Sequence, residues 1–138
     1  MLLALLPLLL VTAATASADD FSVHIARLAP TSAGGPNGVA TIQRTHTGDY
    51  KVTVTVWGLA PRSSHAMHFH RGTCAAQGPV IKPLPNITAN AGGVGRVTTR
   101  VSEADWMMIM SGASYVNVHA QATPPIGGGI TCGDVMGH

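Results

Sequence analysis

The segment His65-Ala-Met-His68-Phe-His70 holds three of the seven histidines of the 138-residue chain, and it decides how the sequence is interpreted. In a β-strand, successive side chains point to opposite faces, so His68 and His70 share one face, with Cα atoms roughly 6.5 to 7 Å apart. Met67 and Phe69 then face the core. His65 has the parity of these two residues, which predicts that it lies on the core side or at the start of the strand.

A third histidine is expected to join this pair from the segment Tyr115-Val-Asn-Val-His119. The same alternation places Val116 and Val118 inside and His119 outside. Two imidazoles at positions i and i+2 can bind one metal ion when a third ligand comes from elsewhere in the fold. We therefore predict that His68, His70 and His119 form one metal site. The alternative is that the three are polar residues on a solvated sheet face.

Strands and turns follow one another along the rest of the chain, with one short helix. Alternating residues predict strands at 21–28, 38–46, 50–57, 84–89, 94–101, 115–120 and 130–135, besides the histidine strand. Residues 72–85 hold three prolines and are predicted as a loop. Ser102 is the predicted N-cap of a helix that ends at Gly112, and its methionines are expected to fill the core. This pattern indicates an all-β fold, a Greek-key antiparallel β-sandwich with one short helix.

The first 18 residues are predicted to be an export signal. Residues 1–11 are almost wholly apolar, and the small residues that follow end in Ala16-Ser-Ala18, which predicts cleavage before Asp19. No Lys or Arg precedes Arg27, so we expect either an atypical leader or a true start that lies further upstream. Its apolar run is shorter than the roughly 20 residues that span a bilayer, which argues against stable membrane insertion. We expect a secreted, periplasmic or cell-envelope protein with one domain over residues 19–138.

Charge and cysteine content narrow the possible partners. The net charge is +2 and there is no basic run, so nucleic acid and anionic membrane surfaces are poor partners. The two cysteines of an exported chain most simply form one disulfide, Cys74–Cys132. Two unrelated buried thiols are the alternative.

Taken together, these segments resemble copper–zinc superoxide dismutase in order and spacing. The resemblance rests on the histidine strand, the following cysteine, the Leu84-Pro-Asn-Ile-Thr-Ala-Asn-Ala-Gly-Gly-Val-Gly segment, Val116-Asn-Val-His119 and Thr131-Cys132-Gly133. The chain is also similar, more closely, to the chordin-type (CHRD) domain. That similarity rests on Gly58-Leu59, Gly78-Pro79-Val80 and Tyr115-Val-Asn-Val-His119. Either resemblance implies a dismutase-like sandwich.

The dismutase resemblance implies a role for each of six residues. His68, His70 and His119 match copper ligands, and His65 matches a histidine that braces the site through backbone hydrogen bonds. Cys74 and Cys132 match the intrasubunit disulfide.

Two departures from the dismutase pattern limit which functions the resemblance implies for this chain. Residues 75–85 contain no His, Asp or Glu, so the zinc site and its bridging histidine are absent. Gly129 stands where the dismutase has a superoxide-attracting arginine, and the loop before it is neutral. The steering field and proton relay of fast dismutation are therefore missing or rebuilt.

Two functions remain open from the sequence. The first is a copper-binding domain with a reduced three-histidine site, either with weak superoxide dismutation or without catalysis. Cu(II) is favoured because it heads the divalent affinity order, and zinc is the competitor. The second is a non-catalytic, CHRD-like binding module of the cell envelope whose histidines are structural and whose loops meet another protein.

Overall fold

The computed structural model describes residues 10–14 and 22–136. These residues form eight strands and one helix: β1 (Val23–Pro30), β2 (Asn37–Arg44), β3 (Tyr50–Trp57), β4 (Ser64–Gly72), β5 (Gln77–Thr88), β6 (Gly95–Val101), α1 (Glu103–Met110), β7 (Ser114–His119) and β8 (Gly129–Met136). The predicted class, all-β with one short helix, is confirmed. The predicted cleavage site lies outside the described residues, and the export signal stays a prediction.

All strand pairings are antiparallel, and the strands run in the order β5-β4-β7-β8-β1-β2-β3-β6. Residues from distant parts of this order share one core, including Ile42 and Val54 from one half and Phe69 and Val116 from the other. The sheet therefore folds over so that its halves pack face to face, as in a sandwich. The strand β3 illustrates how one face of the sheet forms this core, since its valines are buried and alternate with more exposed threonines.

The strand β5 corrects the loop predicted over residues 72–85. It lies at the end of the strand order and pairs with β4, through several register shifts. Pro79, Pro83 and Pro85 fit because an edge strand need not donate every backbone N–H to a ladder. The prediction was wrong because prolines were taken as strand breakers, whereas at an edge they only restrict pairing.

The helix α1 begins as predicted and lies over the core. The Ser102 side chain accepts a hydrogen bond from the Asp105 backbone N–H, and Trp106 and Ile109 are buried. Met107 and Met108 are 67% and 44% exposed, so the prediction that they fill the core was wrong. Trp106 and Ile109 are three residues apart and share the core side of the helix, so Met107 and Met108 between them point away from it. Over the described residues, no helix has the length and apolar character needed to cross a membrane.

A charged hairpin turn between β2 and β3 yields a prediction on pH. Asp49 accepts hydrogen bonds from Thr45 and Thr47 and pairs with Arg100, and these contacts lower its pKa from 3.8 to about 2. Because the folded-state pKa is depressed, the stabilisation is complete above about pH 4 and is lost as the pH falls through 2. We expect Asp49→Asn to lower the urea midpoint at pH 6. The difference from wild type should vanish near pH 2, and a pH-independent difference would contradict this origin.

Candidate metal centre

The three histidines predicted as ligands come together on the outer face of β4 and β7. The two strands are neighbours, with His68 opposite Asn117 and His70 opposite Tyr115. One ring nitrogen of each of His68, His70 and His119 lies within 4.8 Å of those of the other two. The ring centroids are 4.9 to 5.7 Å apart. We call these three residues the histidine cluster.

Backbone carbonyls fix the orientation of two of the rings. His70 Nδ1 donates to the Gly78 carbonyl at 3.0 Å, and His119 Nδ1 donates to the Gly127 carbonyl at 2.9 Å. A carbonyl oxygen only accepts, so in the neutral rings the proton is on Nδ1 and Nε2 carries a lone pair. A carbonyl bonded to the far nitrogen is also the usual support of a metal-ligating imidazole.

The nitrogens left over fit a metal ion. His68 Nδ1, His70 Nε2 and His119 Nε2 are buried and have no hydrogen-bond partner among the described residues. Leaving a buried polar atom unpaired costs roughly 1 to 3 kcal/mol. Three such nitrogens on neighbouring rings therefore indicate that one ligand binds all of them. A cation that accepts three lone pairs would satisfy all of them, and no proton donor within residues 10–14 and 22–136 does so.

The surroundings of His68 favour the state of this residue that binds metal. Burial lowers the pKa of His68 below its ordinary value of 6.5, and the neighbouring His119 and His70 lower it further. A neutral imidazole is the ligating form, so this shift keeps His68 available at neutral pH.

His65 lies away from the cluster, on the core side of β4, where parity predicted it. Its ring is 6% exposed. Nδ1 bonds the backbone carbonyl of His119 at 2.8 Å, and Nε2 bonds the Ser63 hydroxyl at 2.7 Å. The first contact ties the start of β4 to the end of β7, which is the arrangement that bracing His119 requires.

The face that carries the cluster is partly covered, since His68 is half-buried and the other two histidines are buried. His70 and His119 are each 7% exposed, and their neighbours Tyr115 and Asn117 are 1% and 2% exposed. The Tyr115 ring stacks on His70, with centroids 5.0 Å apart and planes 15° apart. Sequence reasoning missed both neighbours, although the alternation that selected His119 places all three on one face.

A disulfide holds part of this cover in place. Cys74 and Cys132 are bonded, as predicted, with their Cα atoms 5.9 Å apart. Cys74 lies in the tight turn between β4 and β5, in which Thr73 and Ala76 exchange two backbone hydrogen bonds of 3.1 Å. Cys132 lies on β8, opposite Asn117 of β7. The bond therefore draws the hairpin tip across β7, beside the histidine cluster.

The space beside Gly129 is closed to any side chain at that position. A Cβ atom at Gly129 would overlap the carboxamide of Asn117, whose oxygen is buried without a hydrogen-bond partner among the described residues. Asn117 thus fills the space that a side chain at position 129 would need.

Comparison with known proteins supports the CHRD resemblance. Residues 13–128 match the CHRD domain. No curated protein matches the chain. Among solved structures, the chain is similar to one described as "Crystal Structure Analysis of the clock protein EA4", with a TM-score of 0.59 and 15% identity over 88% of this chain and 98% of that one. At that identity the likeness concerns the fold.

Proposed function

The chain belongs to the CHRD domain family, and we propose that it is an exported, non-catalytic binding module whose histidine cluster holds a transition-metal ion. The observation that carries this proposal is that each histidine of the cluster has a buried ring nitrogen without a hydrogen-bond partner among the described residues, while one ring nitrogen of each lies within 4.8 Å of those of the other two. A disulfide agrees with an oxidising compartment outside the cytosol.

Copper is the metal that we propose for this site. Three neutral imidazoles suit both Cu(II) and Zn²⁺, but Cu(II) forms the stronger complex with a given nitrogen donor set. Bound copper would supply a Cu(I)/Cu(II) couple. The chain's contribution is to hold His70 and His119 by their Nδ1 atoms and to limit water access through the cover on β7.

Superoxide dismutation is the second candidate, and the order of the histidines and cysteines favours it. Two features weigh against it. The segment that corresponds to the zinc loop runs into the edge strand β5 and holds no metal-ligating residue, and Gly129 and Asn117 offer no positive charge to an anion. Without electrostatic steering, association with an anionic substrate loses its rate advantage. We therefore propose metal binding without catalysis as the first candidate function and dismutation as the second.

Metal loading tests the proposal. The purified protein is washed with chelator, incubated with Cu(II) or Zn²⁺, and desalted, and its metal content is measured by mass spectrometry. We expect one equivalent of copper, with electron paramagnetic resonance showing nitrogen hyperfine coupling. Zinc should bind at the same site and be displaced by copper. If neither metal is retained, the histidines are structural and the module binds through another surface.

A further inference from the structure

A second feature lies on the other half of the sandwich, at β2, β3, β6 and the turn after β2. A cavity of about 240 Å³ is lined by Gln43, Arg44, Thr45, His46, Lys51 and Arg100. Three of the eight Lys and Arg residues of this weakly charged chain thus line one cavity. The sequence conceals this grouping because the three come from separate strands.

The strand register sets two of these cations directly against each other. Lys51 of β3 is opposite Arg100 of β6 on one side and opposite Gln43 of β2 on the other. Directly opposed residues have Cβ atoms roughly 4.5 to 5.5 Å apart, and like charges there are destabilising. Asp49 offsets the charge of Arg100, so the charge that remains for an external anion to offset is that of Lys51.

The carboxylates near the cavity are already engaged. Asp49 pairs with Arg100 at 2.9 Å and also accepts from two threonine hydroxyls. Glu103 pairs with Arg44 at 3.0 Å. These pairs hold the two guanidinium groups in place, whereas Lys51 has no acidic partner among the described residues.

From this juxtaposition we propose that the cavity binds a tetrahedral oxyanion, a sulfate or phosphate group carried by an external ligand. Lysine supplies a mobile point charge, and an arginine held in position supplies directed N–H donors for oxygen. Gln43 and Thr45 add neutral polar groups at the wall. The basic residues surround one cavity and do not extend into a stripe, so a single anionic group fits better than nucleic acid or a membrane surface.

Nuclear magnetic resonance titration at constant ionic strength tests this site. ¹⁵N-labelled protein is titrated with inorganic sulfate and, separately, with inorganic phosphate. We expect saturable amide shifts at residues 43–46, 51 and 100. The anion that binds more tightly indicates whether the external ligand carries a sulfate or a phosphate group. Lys51→Gln should weaken binding about threefold, and Lys51→Arg should preserve it.

Arg96→Gln is the matched control, since Arg96 is exposed on the same strand as Arg100 but faces Thr55, outside the cavity. It should leave the dissociation constant unchanged. Two results would overturn the proposal: non-saturable shifts in the wild type, or an equal loss of affinity in Arg96→Gln and Lys51→Gln. The latter would mean that only the overall charge matters.

Discussion

Replacing His119 with alanine is expected to lower the affinity for Cu(II) by more than about 100-fold. Loss of a residue that merely orients a ligand typically costs 10- to 100-fold in metal affinity, and loss of a ligand costs more. His119 is the one member of the cluster that comes from β7, so its removal leaves a pair from β4. Competition with a chromophoric copper chelator measures the dissociation constant directly.

Two other histidine variants make this experiment specific. His46→Ala removes an exposed imidazole outside the cluster and should leave copper affinity unchanged. His65→Ala should have an intermediate effect, about 10- to 100-fold, because it removes the bond to the His119 carbonyl but no ligand. If His46→Ala weakens binding as much as His119→Ala does, the copper is bound by scattered surface histidines and the proposed site is wrong.

Local periodicity is why the cluster could be predicted from the sequence. A strand fixes which side chains share a face, so the alternation in β4 and in β7 was enough to select His68, His70 and His119 and to set His65 apart. The pairing of β4 with β7 was not determined by either segment alone. It was inferred from the need of a histidine pair for a third ligand, the resemblance to known families implied it as well, and the structure agrees with it.

Features that depend on contacts distant in sequence were the ones missed. The strand β5 was hidden because its prolines are compatible with a strand only at a sheet edge, and edge position is a property of the whole fold. The burial of His70 and His119 was hidden because it depends on where the segments around Gly78 and Gly127 fold back onto their rings. The cavity beside Lys51 arises in the same way, from the register of three strands.

Replacing both cysteines with serine is expected to destabilise the protein by about 4 kcal/mol. Cys74 and Cys132 are separated by 58 residues, and closing a loop of that length in the unfolded chain removes roughly this much conformational freedom. The free energy of unfolding, measured by urea denaturation of the metal-free protein, gives the difference. Wild-type protein kept reduced should show a similar loss, which separates the effect of the bond from that of the serine side chains.

The same double variant should also weaken copper binding, by about 10-fold or more. The disulfide stabilises the fold, and it also holds in place the turn that orients the His70 ring. Cys74 lies four residues before Gly78, whose carbonyl fixes the His70 ring and whose N–H donates to the Tyr115 hydroxyl at 3.3 Å. Freed from β8, this turn gains mobility, and the His70 ring loses its fixed orientation. A variant that is destabilised yet binds copper as tightly as wild type would show that β4 and β7 alone position the cluster and that its cover has no part in holding the metal.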